Sequence, residues 1–145
     1  MKILFVCHGN ICRSAMAEYM FKKMVKDNCL EKEFPLIESA AVSTEELGNP
    51  VYPPARAELA LHGITCQGHR ARQITRSDYD RFDRIYVMDR MNLRLIRGIL
   101  GQERMDKVSM LLDHDIADPW YTDNFQTTYT DLLQGLTAII NNRPA

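Results

Sequence analysis

Long hydrophobic runs are missing from this sequence. The first apolar stretch runs only from Ile3 to Val6, and nothing later approaches the roughly 20 residues of a membrane span or the apolar core of a signal peptide. An excess of charge of either sign is missing too: 18 basic residues face 19 acidic ones, for a formal net charge of -1. That balance excludes the global positive field of a nucleic-acid-binding chain, so any attraction for an anion has to be local. Cysteine is sparse. The four cysteines, at 7, 12, 29 and 66, contain no C-x2-C pairing for zinc and no disulfide framework of the secreted type, so reduced thiols and a cytoplasmic location are expected. Internal repeats, low-complexity segments and linkers are also absent. The 145 residues are therefore expected to form a single domain over 1–145, long enough to bury a substantial core, with neither nucleic acid nor membrane as a partner.

What is present is concentrated near the start. Cys7-His8-Gly9-Asn10-Ile11-Cys12-Arg13-Ser14 places an arginine six positions after a cysteine, directly behind the partly β-branched run Ile3-Leu4-Phe5-Val6, which reads as a strand buried on both faces. After it the apolar period changes: Ala17, Met20, Phe21, Met24 and Val25 recur three and four apart, one stripe of a helix opening near Arg13. The octapeptide thus joins the C-terminal end of a buried strand to a helix N-terminus, the place where open α/β sheets bind ligands. Free N–H groups of such a loop make a concave anion site, Gly9 permits a tight turn, and Arg13 adds a planar fork for two phosphate oxygens. Cys7 lies in the same field, which favours thiolate over thiol. Keeping a cysteine ionised at pH 5 takes roughly 5 kcal/mol, whereas a helix dipole supplies about 0.3 to 2 kcal/mol. The loop amides, Arg13 and the Ser14 hydroxyl must supply the remainder.

Along the chain, strands and helices alternate. The first helix should end near Asp27-Asn28, and Leu36 to Val42 reads as the second strand. Ser43 to Pro54 is a loop broken by Gly48, Pro50, Pro53 and Pro54, and a short helix from Pro53-Pro54 should stop at Gly63. The basic segment Gln67 to Arg76 reads as a solvated loop near the phosphate site, and Thr75 or Ser77 can cap a brief helix through Phe82. Asp83 to Met88 is the third strand, Asn92 to Leu100 a helix closed by Gly98 and Gly101, and Val108 to Leu112 the fourth strand. Phe125, Tyr129, Leu132, Leu133, Leu136, Ile139 and Ile140 define the clearest helix of all. The expected fold is α/β: a four-stranded parallel sheet of order 2-1-3-4 with helices on both faces.

A thiolate attacking a phosphate ester needs a proton donor on the far side of phosphorus. The loop Asp113-His114-Asp115-Ile116-Ala117-Asp118-Pro119-Trp120-Tyr121 leaves the same sheet edge as the Cys7 loop and offers three acids. Asp118 is preferred, because Pro119 biases it to extended backbone and Trp120 and Tyr121 can shield it; Asp113 and Asp115 remain rivals.

Val6 to Ser14, the later Asp118-Pro119-Trp120-Tyr121, and Ser39-Ala40-Ala41, His69-Arg70-Ala71-Arg72-Gln73 and Met88-Asp89 between them resemble the low-molecular-weight protein tyrosine phosphatase family over nearly the whole chain. The resemblance implies a phosphatase I-like three-layer sandwich that needs no metal and no cofactor. It makes Cys7 the nucleophile of a phosphocysteine intermediate, Arg13 the phosphate and transition-state ligand, and Asp118 the general acid and then base. His8, Gly9, Asn10, Ile11, Cys12, Arg13 and Ser14 would cradle the phosphate, Ser14 would bond the thiolate, and Asn10 with His69 would hold the loop. Trp120 and Tyr121 match the family's aromatic wall. The implied partner is a phosphotyrosine-containing protein or peptide, with inorganic phosphate and similar oxyanions as competitive ligands. Cys12 would protect Cys7 through a reversible disulfide. Three positions give the pocket its own character. Glu45 stands where many members have an aromatic wall residue, which points to a basic residue near the phosphotyrosine. His8 replaces a commonly apolar residue. Ile11 replaces the threonine of related arginine phosphatases and so favours tyrosine.

Three other readings weaken on the same residues. An arsenate reductase on this scaffold needs a further cysteine pair, yet none follows Cys66. A non-catalytic phosphopeptide-binding module has no use for Cys7 and Asp118 together. A metal site of Cys7, Cys12 and His8 has poor ligand spacing.

Overall fold

The computed structural model describes residues 1–143. Its centre is a parallel sheet of order β2-β1-β3-β4, formed by β1 (Lys2–Cys7), β2 (Leu36–Ala41), β3 (Arg84–Val87) and β4 (Val108–Met110). The register pairs Cys7 with Ala41 and Val6 with both Ala40 and Val87, so the C-terminal ends of three strands finish side by side under the first loop. Side chains of β1 alternate between two cores, as the period of a strand requires. Ile3, Phe5 and Cys7 point into one, with α1 (Arg13–Asp27), α2 (Pro53–Leu61) and α6 (Phe125–Asn141). Leu4 and Val6 point into the other, under α3 (Arg76–Arg81) and α4 (Arg90–Leu100). Phe5 meets Phe21 of α1 edge to face, with ring centroids 5.7 Å apart.

Most element boundaries follow the sequence, and the departures have local causes. Helix α4 starts at Arg90 rather than Asn92, because the Asp89 carboxylate accepts a 2.7 Å bond from the Asn92 N–H and caps it. Gly98 lies inside α4, and Gly101 alone closes it, at φ +97°. Thr75, not Ser77, caps α3 through a capping box with Asp78, whose carboxylate also receives both terminal nitrogens of Arg72 at 2.9 and 3.1 Å. β4 stops at Met110, two residues early. A one-turn helix, α5 (Pro119–Thr122), appears where a loop was expected. Among the described residues no helix is long and apolar enough to cross a membrane.

Gly135 in the middle of α6 is explained by close approach. A Cβ there would stand 2.5 Å from Leu111 Cγ and 2.9 Å from its Cδ1, so the helix can sit this near the segment after β4 only without a side chain. Helix propensity alone favours Gly135→Ala by about 1 kcal/mol. Overpacking costs about 1 to 3 kcal/mol and decides the sign. Gly135→Ala is expected to lower stability in urea unfolding, and the loss should shrink when Leu111→Ala is made as well.

Candidate active site

Between the end of β1 and the start of α1 the chain curls into a loop whose tightest residue is Asn10, at φ +62°. This left-handed conformation costs an ordinary residue about 1 to 2 kcal/mol, and Asn is among the few that tolerate it. Four bonds fasten it. The Asn10 Nδ2 donates to Ser14 Oγ at 2.8 Å and to Ser39 Oγ at 2.9 Å. Its Oδ1 accepts from the Arg72 N–H at 3.2 Å, and its carbonyl accepts from His69 Nε2 at 2.7 Å. Ser39 passes the network on to the buried Glu18, whose Oε1 accepts from Ser39 Oγ at 2.5 Å. Gly9 has a different setting from the one expected: the left-handed turn belongs to Asn10, and the Glu46 side chain lies against Gly9, its Cγ 3.3 Å from where a Cβ would be.

The clamp positions Cys7. Its Sγ is 3.0 Å from Ser14 Oγ and receives the Asn10 N–H at 3.4 Å. Ser14 and Asn10 are themselves fully buried, so their side chains support the loop from behind. Cys12 is buried as well, and burial, then Cys7 and then Asp118, push its thiol pKa far up.

Arg13 is buried and held by three acceptors. One terminal nitrogen, Nη1, donates to Asp89 Oδ2 at 2.7 Å and to the Ile116 carbonyl at 2.8 Å; the other, Nη2, lies 3.5 Å from Asp118 Oδ2. Burial works against its charge, but Cys7, Asp89 and Asp118 together outweigh that and raise its pKa. Asp118 is also the cap of α5, its Oδ1 accepting from the Trp120 N–H at 3.0 Å. The rival acids point elsewhere. Asp113 is exposed beside His114 at 2.8 Å, and Asp115 binds the Arg90 N–H at 3.0 Å.

These pieces close around one pocket. Cys7, His8, Gly9, Ile11, Cys12 and Arg13 line it below, Glu45 and Glu46 come from the loop after β2, and Asp118, Trp120 and Tyr121 complete it. Trp120 is half exposed and packs on Tyr52 with ring centroids 4.8 Å apart, while Tyr121 stands 84% exposed. The Tyr52 N–H donates to the Ile11 carbonyl at 2.9 Å, so wall and loop share a support. No group of three or more His, Cys, Asp or Glu suited to hold a metal ion occurs among the described residues.

The structure thus gathers Cys7, Arg13, Asp118, Trp120, Tyr121 and Glu45 at one cavity and places Asn10, Ser14 and His69 behind it. Reading the sequence missed Glu46 and Tyr52, the grip of Asp89 on Arg13, and Glu18. Glu18 carried a signal: it sits at helical spacing from Ser14, Phe21 and Val25, a carboxylate on the buried face of α1. The clamp makes a test of sign possible. In most loops Ala is no worse than Gly, but at a left-handed residue it is. Asn10→Ala and Asn10→Gly both lose the side-chain bonds, and Asn10→Ala is expected to be less stable than Asn10→Gly by about 1 kcal/mol in denaturant titration.

Comparison with known proteins agrees with this geometry. The family described as low molecular weight phosphotyrosine protein phosphatase matches residues 2–142. The enzyme of that name from Gallus gallus is 39% identical over 150 aligned positions, covering 95% of this chain and 92% of its own. The crystal structure of YfkJ from Bacillus subtilis superposes with a TM-score of 0.91 at 32% identity, covering 99% of this chain and 97% of that one. A protein tyrosine phosphatase from Entamoeba histolytica, with Hepes in its active site, gives 0.89 at 26% identity over 97% and 94% of the two chains. The match spans nearly every residue from the start of β1 to the end of α6, and the chain belongs to the low molecular weight phosphotyrosine protein phosphatase family.

Proposed function

We propose that this protein hydrolyses phosphotyrosine in proteins or peptides through a phosphocysteine intermediate. The observation that carries the reading is the convergence of the Cys7 sulfur, the Arg13 guanidinium and the Asp118 carboxyl on one aromatic-walled pocket. The phosphate sits among the loop N–H groups from His8 to Ser14, with Arg13 across two of its oxygens. The Cys7 thiolate attacks phosphorus in line; as the S–P bond forms, the bond to the tyrosyl oxygen breaks and Asp118 gives that oxygen its proton. Asp118, now a carboxylate, takes a proton from water as the water oxygen attacks phosphorus. The S–P bond breaks, Ser14 donates to the returning thiolate, and inorganic phosphate leaves. Asp89 and the Ile116 carbonyl keep Arg13 aimed, so that only its long 3.5 Å contact with Asp118 has to yield to substrate.

Inorganic phosphate and similar oxyanions are competitive ligands on this reading, in keeping with the Hepes in the active site of the relative from Entamoeba histolytica. Ile11 and the walls of Trp120 and Tyr121 favour an aromatic ester. Cys12, a neutral thiol next to Cys7 in the same loop, is proposed to capture an oxidised Cys7 as a disulfide that thiols reopen.

The test is the rate of hydrolysis of a phosphotyrosine peptide against pH, without added metal. Cys7→Ser should abolish turnover. Asp118→Asn should lower kcat by about 10²- to 10⁴-fold, because the leaving tyrosyl oxygen then receives no proton from this side chain. Loss of activity in neither variant overturns the reading. After peroxide treatment, wild type should recover with thiol and Cys12→Ser should not; equal recovery overturns the protective role.

A further inference from the structure

We infer that the rim of this pocket selects phosphotyrosine set beside basic residues, with Glu45 as the principal selecting group and Glu46 as its neighbour. The inference rests on the phosphatase reading and specifies the substrate class of the same site.

The charge around the pocket is arranged against its own ligand. The lining includes three carboxylates, Glu45, Glu46 and Asp118, against Arg13 as its one permanent cation. Arg13 is buried at the floor and already shared between Asp89 and Asp118. An incoming phosphate dianion therefore meets negative charge at the mouth before it reaches positive charge below. A substrate with cationic side chains next to the phosphotyrosine reverses the sign of that first encounter.

Both rim carboxylates are held in place. His8 Nε2 stands 3.2 Å from Glu45 Oε2 and tethers this otherwise exposed side chain at the mouth, while Glu45 Oε1 accepts no bond among the described residues. Glu46 Oε2 accepts from Asn49 Nδ2 at 2.7 Å, and its stem lies on Gly9, next to the phosphate loop itself. An arginine reaching Glu45 finds an acceptor oxygen free.

The experiment compares equal-length phosphotyrosine peptides that differ only in the two residues flanking the phosphotyrosine, Arg or Asp, with a simple aryl phosphate as the third substrate. In wild type at low salt the arginine peptide should have the higher kcat/KM by about fivefold, equivalent to about 1 kcal/mol and at the upper end for an exposed pair. Because each ratio is taken within one variant, any loss common to all substrates cancels. The ratio should fall towards one in Glu45→Gln with Glu46→Gln, invert in Glu45→Lys, and shrink at high salt as the rim charges are screened. Turnover with equal rates for the two peptides, or a preference that survives the double substitution, overturns the inference alone. Absence of turnover of all three substrates overturns the phosphatase reading and the inference with it.

Discussion

The left-handed backbone at Asn10 is the constraint on which the rest of the site depends. The loop between β1 and α1 leaves the broad allowed regions at one residue, and the side chain of that residue recovers the cost through its hydrogen bonds. The recovery is spread over the fold: Ser39 comes from β2, Ser14 and Glu18 from α1, and His69 and Arg72 from the segment before α3. Each of these elements is in turn fixed by the sheet register that aligns Cys7 with Ala41. Local strain and global topology are therefore coupled, and disturbing the packing of β2 or α1 disturbs the loop.

Arg13 shows the same coupling in electrostatic form. A buried guanidinium is costly to hold unless its partners are arranged in advance, and here they come from the end of β3 and the loop after β4. Asp89 serves twice, as the cap of α4 and as the anchor of Arg13. Asp118 also serves twice, as the cap of α5 and as a second contact to Arg13. Shared use of carboxylates lets a pocket lined with negative groups retain a positive floor.

What could be read in the sequence was what is local or periodic. The strand, loop and helix around Cys7 are contiguous, so their chemistry stood together; the alternation of strands and helices carried the sheet order, and α6 announced itself by its spacing. The partners of Arg13 were not visible in this way, because Asp89 lies 76 residues away and Ile116 lies 103 away, and no local pattern links such positions. Helix α5 escaped because a single turn has no period to detect, and Asp-Pro reads equally well as a turn. Gly9 was credited with a conformation that belongs to Asn10, since composition favours glycine at a turn whereas hydrogen bonding here selects asparagine.

Trp120 is the single tryptophan of the sequence, and it lies in the pocket wall, half exposed, packed on Tyr52 and one residue past the Asp118-Pro119 cap. The protein therefore carries an intrinsic optical probe with no background from any other indole. Occupation of the pocket, movement of α5 or a change in the Asp118 carboxyl all alter the surroundings of this one fluorophore. Binding at the site can be followed by its emission in unlabelled protein.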